Sequence, residues 1–180
     1  MNKERLKQIL NNFEGRNVLV LGDVMLDEYI WGSVERTSPE APVRVVRIEK
    51  RHYALGGAAN VANNLAELGA NVYIVSIVGN DNDGEKLKDR LDKLRANTEG
   101  VFTDPTRPTI TKTRIVAHDQ QMMRIDHEQT HFISAEIEKR MIQFIKGNAH
   151  LLNGVIISDY LKGVLTNNLL REVIDLCLKK

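Results

Sequence analysis

The sequence predicts an α/β fold: an open, mostly parallel sheet flanked by helices, with a small β lid standing outside it. Three observations carry this. Short continuous apolar runs (Val18–Leu21, Val72–Val78 and Val155–Ile157) have the look of strands covered on both faces. Segments of helical period separate them, and strands alternating with helices imply a parallel sheet with right-handed crossovers. A Val- and Arg-rich stretch, Pro42 to Tyr53, alternates loosely and fits a strand with one exposed face, outside the main sheet.

Taken in order, Leu6, Ile9, Leu10 and Phe13 fall at i, i+3, i+4 and i+7, an amphipathic helix that Gly15 ends. The first buried strand follows, and Asp23 to Trp31 read as a polar loop leaving it. Gly56-Gly57 opens a helix of small residues, Ala58 to Leu68, closed by Gly69. After the second buried strand, Asp81 or Asp83 caps a helix with Leu87, Leu91 and Leu94 on one face. Thr109 to Val116 and Met122 to Asp126 read as a hairpin turning at His118-Asp119-Gln120-Gln121. Ser134 caps the next helix, whose buried stripe is Ile137, Met141, Phe144 and Ile145. The third buried strand and a helix from Thr166 to Lys180 finish the chain. That helix carries Leu169, Leu170, Val173, Ile174 and Cys177 on a core-facing stripe, with Cys177 expected in the core. No strand follows to complete its βαβ unit, so the fold is expected to lack its C-terminal part.

Composition excludes several classes of function. The chain has 180 residues, 25 Lys+Arg against 24 Asp+Glu, a formal charge of +1 and a single cysteine. That is enough chain for a full core, while one cysteine forms no intramolecular disulfide, which points to a reducing, cytoplasmic compartment. No apolar run approaches the roughly 18 residues of a membrane span. Near-zero charge without a Lys/Arg cluster argues against a nucleic-acid partner.

Chemistry concentrates at strand ends. Asp23 and Asp27 follow the first strand at its carboxyl end, where ligands bind in open α/β sheets; the other reading for one of them is a turn former. Asp159-Tyr160-Leu161-Lys162-Gly163 lies beyond the third buried strand and reaches the same edge, where Lys162 is either a phosphate ligand or a solvated loop lysine. The Gly56-Gly57 pair allows either close approach of a ligand or tight packing of helix on sheet. His127-Glu128-Gln129-Thr130-His131 matches a zinc-protease spacing, but residues four apart share a face only on a helix, and this segment ends a β run; no metal site is expected.

These residues belong to longer blocks: Gly22-Asp23-Val24-Met25-Leu26-Asp27, Ser38-Pro39-Glu40-Ala41-Pro42-Val43, Gly56-Gly57-Ala58-Ala59-Asn60-Val61-Ala62, Arg107-Pro108-Thr109-Ile110-Thr111-Lys112-Thr113-Arg114, Gln120-Gln121-Met122-Met123-Arg124-Ile125-Asp126 and Ser158-Asp159-Tyr160-Leu161-Lys162-Gly163. In that order they resemble the ribokinase-like (PfkB) carbohydrate kinases. Within the family they look most like the D-glycero-β-D-manno-heptose 7-phosphate kinases, the kinase half of bifunctional ADP-heptose synthesis proteins.

The resemblance implies a Rossmann-like, ribokinase-type sheet, of which residues 1–180 are the N-terminal part of one kinase domain, with lid segments at about 29–55 and 108–128. It places Asp27, Gly56, Gly57 and Asn60 on sugar hydroxyls, Lys112, Arg114 and Arg124 on the sugar 7-phosphate, and Asp159 and Lys162 near the transferred phosphoryl group. The implied reaction moves the ATP γ-phosphoryl to the anomeric hydroxyl. The family's Gly-Ala-Gly-Asp motif, which holds the general base and anion hole, does not occur here, so no catalytic residue is assigned and the chain alone is expected to be inactive. ATP and Mg2+ are implied for the complete kinase, neither binding tightly to this chain. Implied partners are a phosphorylated sugar, the missing half or a complementing chain, and a second copy joined through the lid. The alternative is a non-catalytic sugar-phosphate-binding or dimerisation module.

Overall fold

The computed structural model describes residues 2–179. In chain order its elements are α1 (Lys3–Asn11), β1 (Asn17–Gly22), β2 (Val24–Thr37), β3 (Arg44–Gly57), α2 (Ala58–Glu67), β4 (Asn71–Val78), α3 (Asn82–Lys93), β5 (Asn97–Thr103), β6 (Thr111–Ala117), β7 (Gln120–His127), α4 (Ala135–Asn148), a 3-10 turn (Ala149–Leu151), β8 (Gly154–Ser158) and α5 (Asn167–Leu178).

The core sheet has the order β5-β4-β1-β8, and every pair in it is parallel. Alternation along its strands sorts the core into two layers. Val20, Val72, Ile74 and Val78 pack beneath α2 and α3, against Ala59, Ala62, Leu87 and Leu91. Leu19, Leu21, Val75 and Ile77 pack on the opposite face, against Met141 and Ile145 of α4 and Leu169 and Val173 of α5. The small residues of α2 allow its backbone close to the sheet. Fully buried Leu87 and Leu91 each contribute about 1.5–3 kcal/mol by leaving water.

Caps set the helix starts. Asp81 accepts from the Gly84 N–H at 2.8 Å, Ser134 from Ile137 at 3.2 Å and Thr166 from Leu169 at 3.0 Å. The resulting architecture is α/β with a parallel sheet between helices, as the sequence predicts.

A second sheet, β3-β2-β6-β7, forms the lid; β2 pairs antiparallel with β3 and parallel with β6, and β6 and β7 make the hairpin. Here the structure corrects the sequence reading. Asp23 to Trp31 is no polar loop: a single residue, Asp23, separates β1 from β2, a strand of 14 residues at the centre of the lid. The polar positions Asp27, Glu28 and Tyr29 hid a strand whose other positions, Leu26 and Ile30, are buried.

Strand β5 is a further addition, unread in the sequence because Asn97-Thr98-Glu99-Gly100 looks like turn chemistry. The hairpin turn is tighter than expected, only His118-Asp119, both at positive φ. Helix α1 stops at Asn11, a turn before Gly15, and Leu6 and Leu10 remain exposed. The last helix runs from Asn167 to Leu178 with Thr166 as its cap; Lys180 lies outside the described residues. Cys177, expected in the core, is exposed, because α5 buries only the Leu169–Val173 side of its apolar stripe.

Candidate functional site

Asp23 builds the junction from which the site is made. Its side chain is fully buried, and its carboxylate accepts from the N–H groups of Tyr160 (2.9 Å), Lys162 (3.2 Å) and Val164 (3.2 Å). Its own carbonyl accepts from Ala58 at the start of α2. One aspartate thus ties the tip of β1, the head of α2 and the loop after β8. Of the two aspartates at this strand end, Asp23 is the turn former.

Asp27, four residues along β2, faces a cavity of about 490 Å³ between lid and core. Asp27, Gly56, Gly57, Asn60, Lys112 and Arg114 all line it. Register explains the gathering: Asp27 lies opposite Ala54 on β3 and Lys112 on β6, while Tyr29 lies opposite Arg114. The Asp27 Oδ1 accepts from Arg114 Nη1 at 2.6 Å, and this hydrogen bond raises the guanidinium pKa further although burial opposes its charge. Arg114 also lies over the Tyr29 ring, 5.2 Å from its centroid.

Both glycines are required here. A Cβ on Gly56 would sit 2.5 Å from Asp27 Oδ2, so any side chain would displace the carboxylate. Gly57 has φ of +55°, and a Cβ there would meet the Asp23 carbonyl at 2.3 Å.

The remaining nominated residues stand elsewhere. Arg124 is off the cavity wall, its guanidinium on Asp126 at 2.8 and 3.1 Å. Asp159 is exposed and accepts from the Leu161 N–H, while its neighbour Tyr160 lines the cavity. Lys162 turns to Glu128, 2.5 Å away, and Lys112 reaches the same carboxylate at 3.1 Å.

Burial opposes the charge of Glu128, yet hydrogen bonds from Lys162 and Lys112 hold its carboxyl below the ordinary range. Sequence reasoning weighed Glu128 only as the middle of a His-Glu-x-x-His spacing. The usable signal was period two, since Arg124, Asp126 and Glu128 continue one face of β7. His127 ends β7 and His131 lies in non-helical chain beside Thr106, so the two histidines share no helix face. No group of three or more His, Cys, Asp or Glu among the described residues is placed to hold a metal ion.

A second residue without an assigned role, Arg107, holds these loops together. It is buried, donates to Asp104 (2.8 Å), and reaches the carbonyls of His131 (2.6 Å) and Lys162 (3.2 Å).

With this geometry in view, residues 16–177 match the model of the pfkB family of carbohydrate kinases. This chain belongs to that family. Among curated proteins it is 47% identical over 166 residues to the bifunctional protein HldE of Pelobacter propionicus, covering 92% of this chain and 34% of that protein. It is 41% identical to the HldE of Geobacter sulfurreducens, covering 100% of this chain and 37% of that protein. The chain therefore spans about a third of the length of the curated relatives it matches.

Among solved structures, a candidate phosphofructokinase from Staphylococcus aureus superposes with TM-score 0.68 at 15% identity, covering 91% of this chain and 50% of that one. Ribokinase from Arabidopsis thaliana, complexed with ribose and ATP, gives 0.57 at 17% identity, covering 79% and 45%. These likenesses establish the ribokinase-type fold of this carbohydrate kinase domain.

Proposed function

We propose that this PfkB chain is the acceptor-sugar-binding part of a kinase that moves the ATP γ-phosphoryl to the anomeric hydroxyl of D-glycero-D-manno-heptose 7-phosphate, on the route to ADP-heptose. The observation that carries the reading is the shared cavity: a carboxylate, two cations, two obligatory glycines and an exposed asparagine face one space at the sheet edge. Asp27 Oδ1 is engaged by Arg114, leaving Oδ2 beside Gly56 to accept from sugar hydroxyls. Asn60 offers both donor and acceptor, and Lys112 and Arg114 supply charge for the sugar phosphate. Arg124 serves the same phosphate once it leaves Asp126, and Asp159 and Lys162 face the phosphoryl-transfer side.

In this reading residues 1–180 are the N-terminal part of one kinase domain that acts in the cytoplasm. ATP and Mg2+ bind with the remaining part of the fold, which supplies the base. Phosphoryl transfer depends on positioning and charge stabilisation, so the chain alone turns nothing over. A second copy joins through the lid, where β7 is exposed along its length and shows Met123 and Ile125 to solvent.

Calorimetry with heptose 7-phosphate tests the acceptor site: binding is expected, and Asp27→Ala is expected to abolish it. Binding that ignores Asp27 would refute the reading, as would ATP turnover by the homogeneous chain. Ultracentrifugation with and without the sugar separates it from a dimerisation module, whose association would persist while heptose 7-phosphate failed to bind.

A further inference from the structure

Glu128 joins two cations that arrive from different parts of the fold. Lys112 comes from lid strand β6 and Lys162 from the core loop after β8, yet their ammonium groups meet on one carboxylate, at 3.1 Å from Oε2 and 2.5 Å from Oε1. The side chains are only 14%, 19% and 19% exposed for Lys112, Lys162 and Glu128, so little water remains to screen them. Lys112 has a second carboxylate, Asp126 at 3.0 Å, which is shared with Arg124. Lys162 makes its ion pair with Glu128.

We propose that Lys112 and Lys162 form a single phosphate subsite and that Glu128 is its resident anion, displaced when a phosphoryl group arrives. This rests on the acceptor reading of the cavity, in which Lys112 holds the sugar phosphate, and revises it by bringing Lys162 to that same phosphate rather than to the transferred one. A carboxylate brings one negative charge to two ammonium groups, whereas a phosphomonoester at neutral pH brings about 1.5 to 2 and three strong acceptor oxygens. The dianion therefore replaces the carboxylate with a net electrostatic gain, and a monoanion does not. Glu128 keeps the two lysines converged while the subsite is unliganded and excludes chloride and small carboxylates. Because Lys112 also lines the cavity that holds Asp27, a phosphate seated here lies at its rim.

Titration calorimetry with inorganic phosphate at low ionic strength tests the proposal on the whole chain. Glu128→Gln is expected to bind phosphate at least about fivefold more tightly than the unsubstituted protein, since two cations lose their internal competitor. Adding Lys162→Ala to that variant is expected to remove the gain, and acetate is expected not to bind the unsubstituted protein. Equal or weaker phosphate binding by folded Glu128→Gln overturns the proposal, as does a gain that survives Lys162→Ala.

Should Glu128→Gln fail to fold, the unsubstituted chain labelled with 13C at glutamate Cδ gives the answer. Phosphate is expected to move the Glu128 carboxyl resonance, and a resonance that stays fixed overturns the displacement. The two readings fail differently. Loss of Asp27-dependent sugar binding with the phosphate response intact removes the acceptor assignment, while the reverse pattern removes the role given to Glu128.

Discussion

Two aspartates four residues apart do opposite work because of what surrounds them. Asp23 spends its oxygens on three backbone N–H groups in a dry interior, whereas Asp27 gives one oxygen to Arg114 and turns the other toward the cavity. The carboxylate of Asp27 stays in place because residue 56 has no side chain. Gly56→Ala is accordingly expected to weaken sugar-phosphate binding about tenfold or more, a loss of about 1.4 kcal/mol, with little change in melting temperature. Calorimetry beside a thermal melt checks both halves of that expectation.

The buried Asp104–Arg107 pair is structural in a different sense. Removing either partner strands a charge in the interior, and Asp104→Asn is expected to cost about 3–5 kcal/mol at pH 7 in denaturant titration. Burial works against the Asp104 charge, but hydrogen bonds from Thr106 and the charge of Arg107 outweigh it and hold the carboxyl below its ordinary 3.8. A depressed folded value means the unfolded chain takes up the proton first. The stabilisation is complete above about pH 4 and drains away as pH falls through the folded value, so the gap between the two proteins is expected to narrow in acid.

Among the elements, the lid hairpin offers the sharpest test of local chemistry. Its turn places His118 at φ of +51° and Asp119 at +58°, conformations that asparagine and glycine adopt at less cost. Replacing the pair with Asn-Gly is expected to raise stability by about 1 kcal/mol without altering phosphate binding, as chemical denaturation and calorimetry would show.

Elements also explain what the sequence could disclose. Helices α3, α4 and α5 were legible because each has a capping side chain followed by leucine, isoleucine or methionine at helical spacing. Strands β1, β4 and β8 were legible as unbroken apolar runs, but only β1 and β4 are buried: β8, expected to be covered on both faces, lies at the edge of the sheet with Ile156 and Ile157 exposed. Strand β2 was not legible, since after the buried Val24–Leu26 it carries the half-buried polar residues of the site, Asp27 to Tyr29, and shows no clean alternation. Strand β5 escaped because it holds a glycine and an asparagine and buries little beyond Val101. The six cavity residues were nominated from motif blocks. Their ion pairs were invisible, because Arg114 and Asp27 are 87 positions apart in sequence and meet only through the parallel pairing of β2 with β6.

For the molecule as a whole, the core sheet ends at β8, hydrogen-bonded to β1 alone among the described strands, with Ile156 and Ile157 more than a third exposed. An edge of this kind is a template for further pairing. Sedimentation is expected to show concentration-dependent association of the isolated chain, and Ile157→Lys is expected to suppress it without lowering the melting temperature.

The passage from β1 into β2 through Asp23 alone gives the lid an unusual attachment. No slack chain separates the two sheets here, and the residue that joins them is itself held by three backbone N–H groups of the loop after β8. A shift of Asp27 is therefore expected to reach the loop after β8 through Asp23, and the Tyr160 and Lys162 amide resonances are expected to move when heptose 7-phosphate is added.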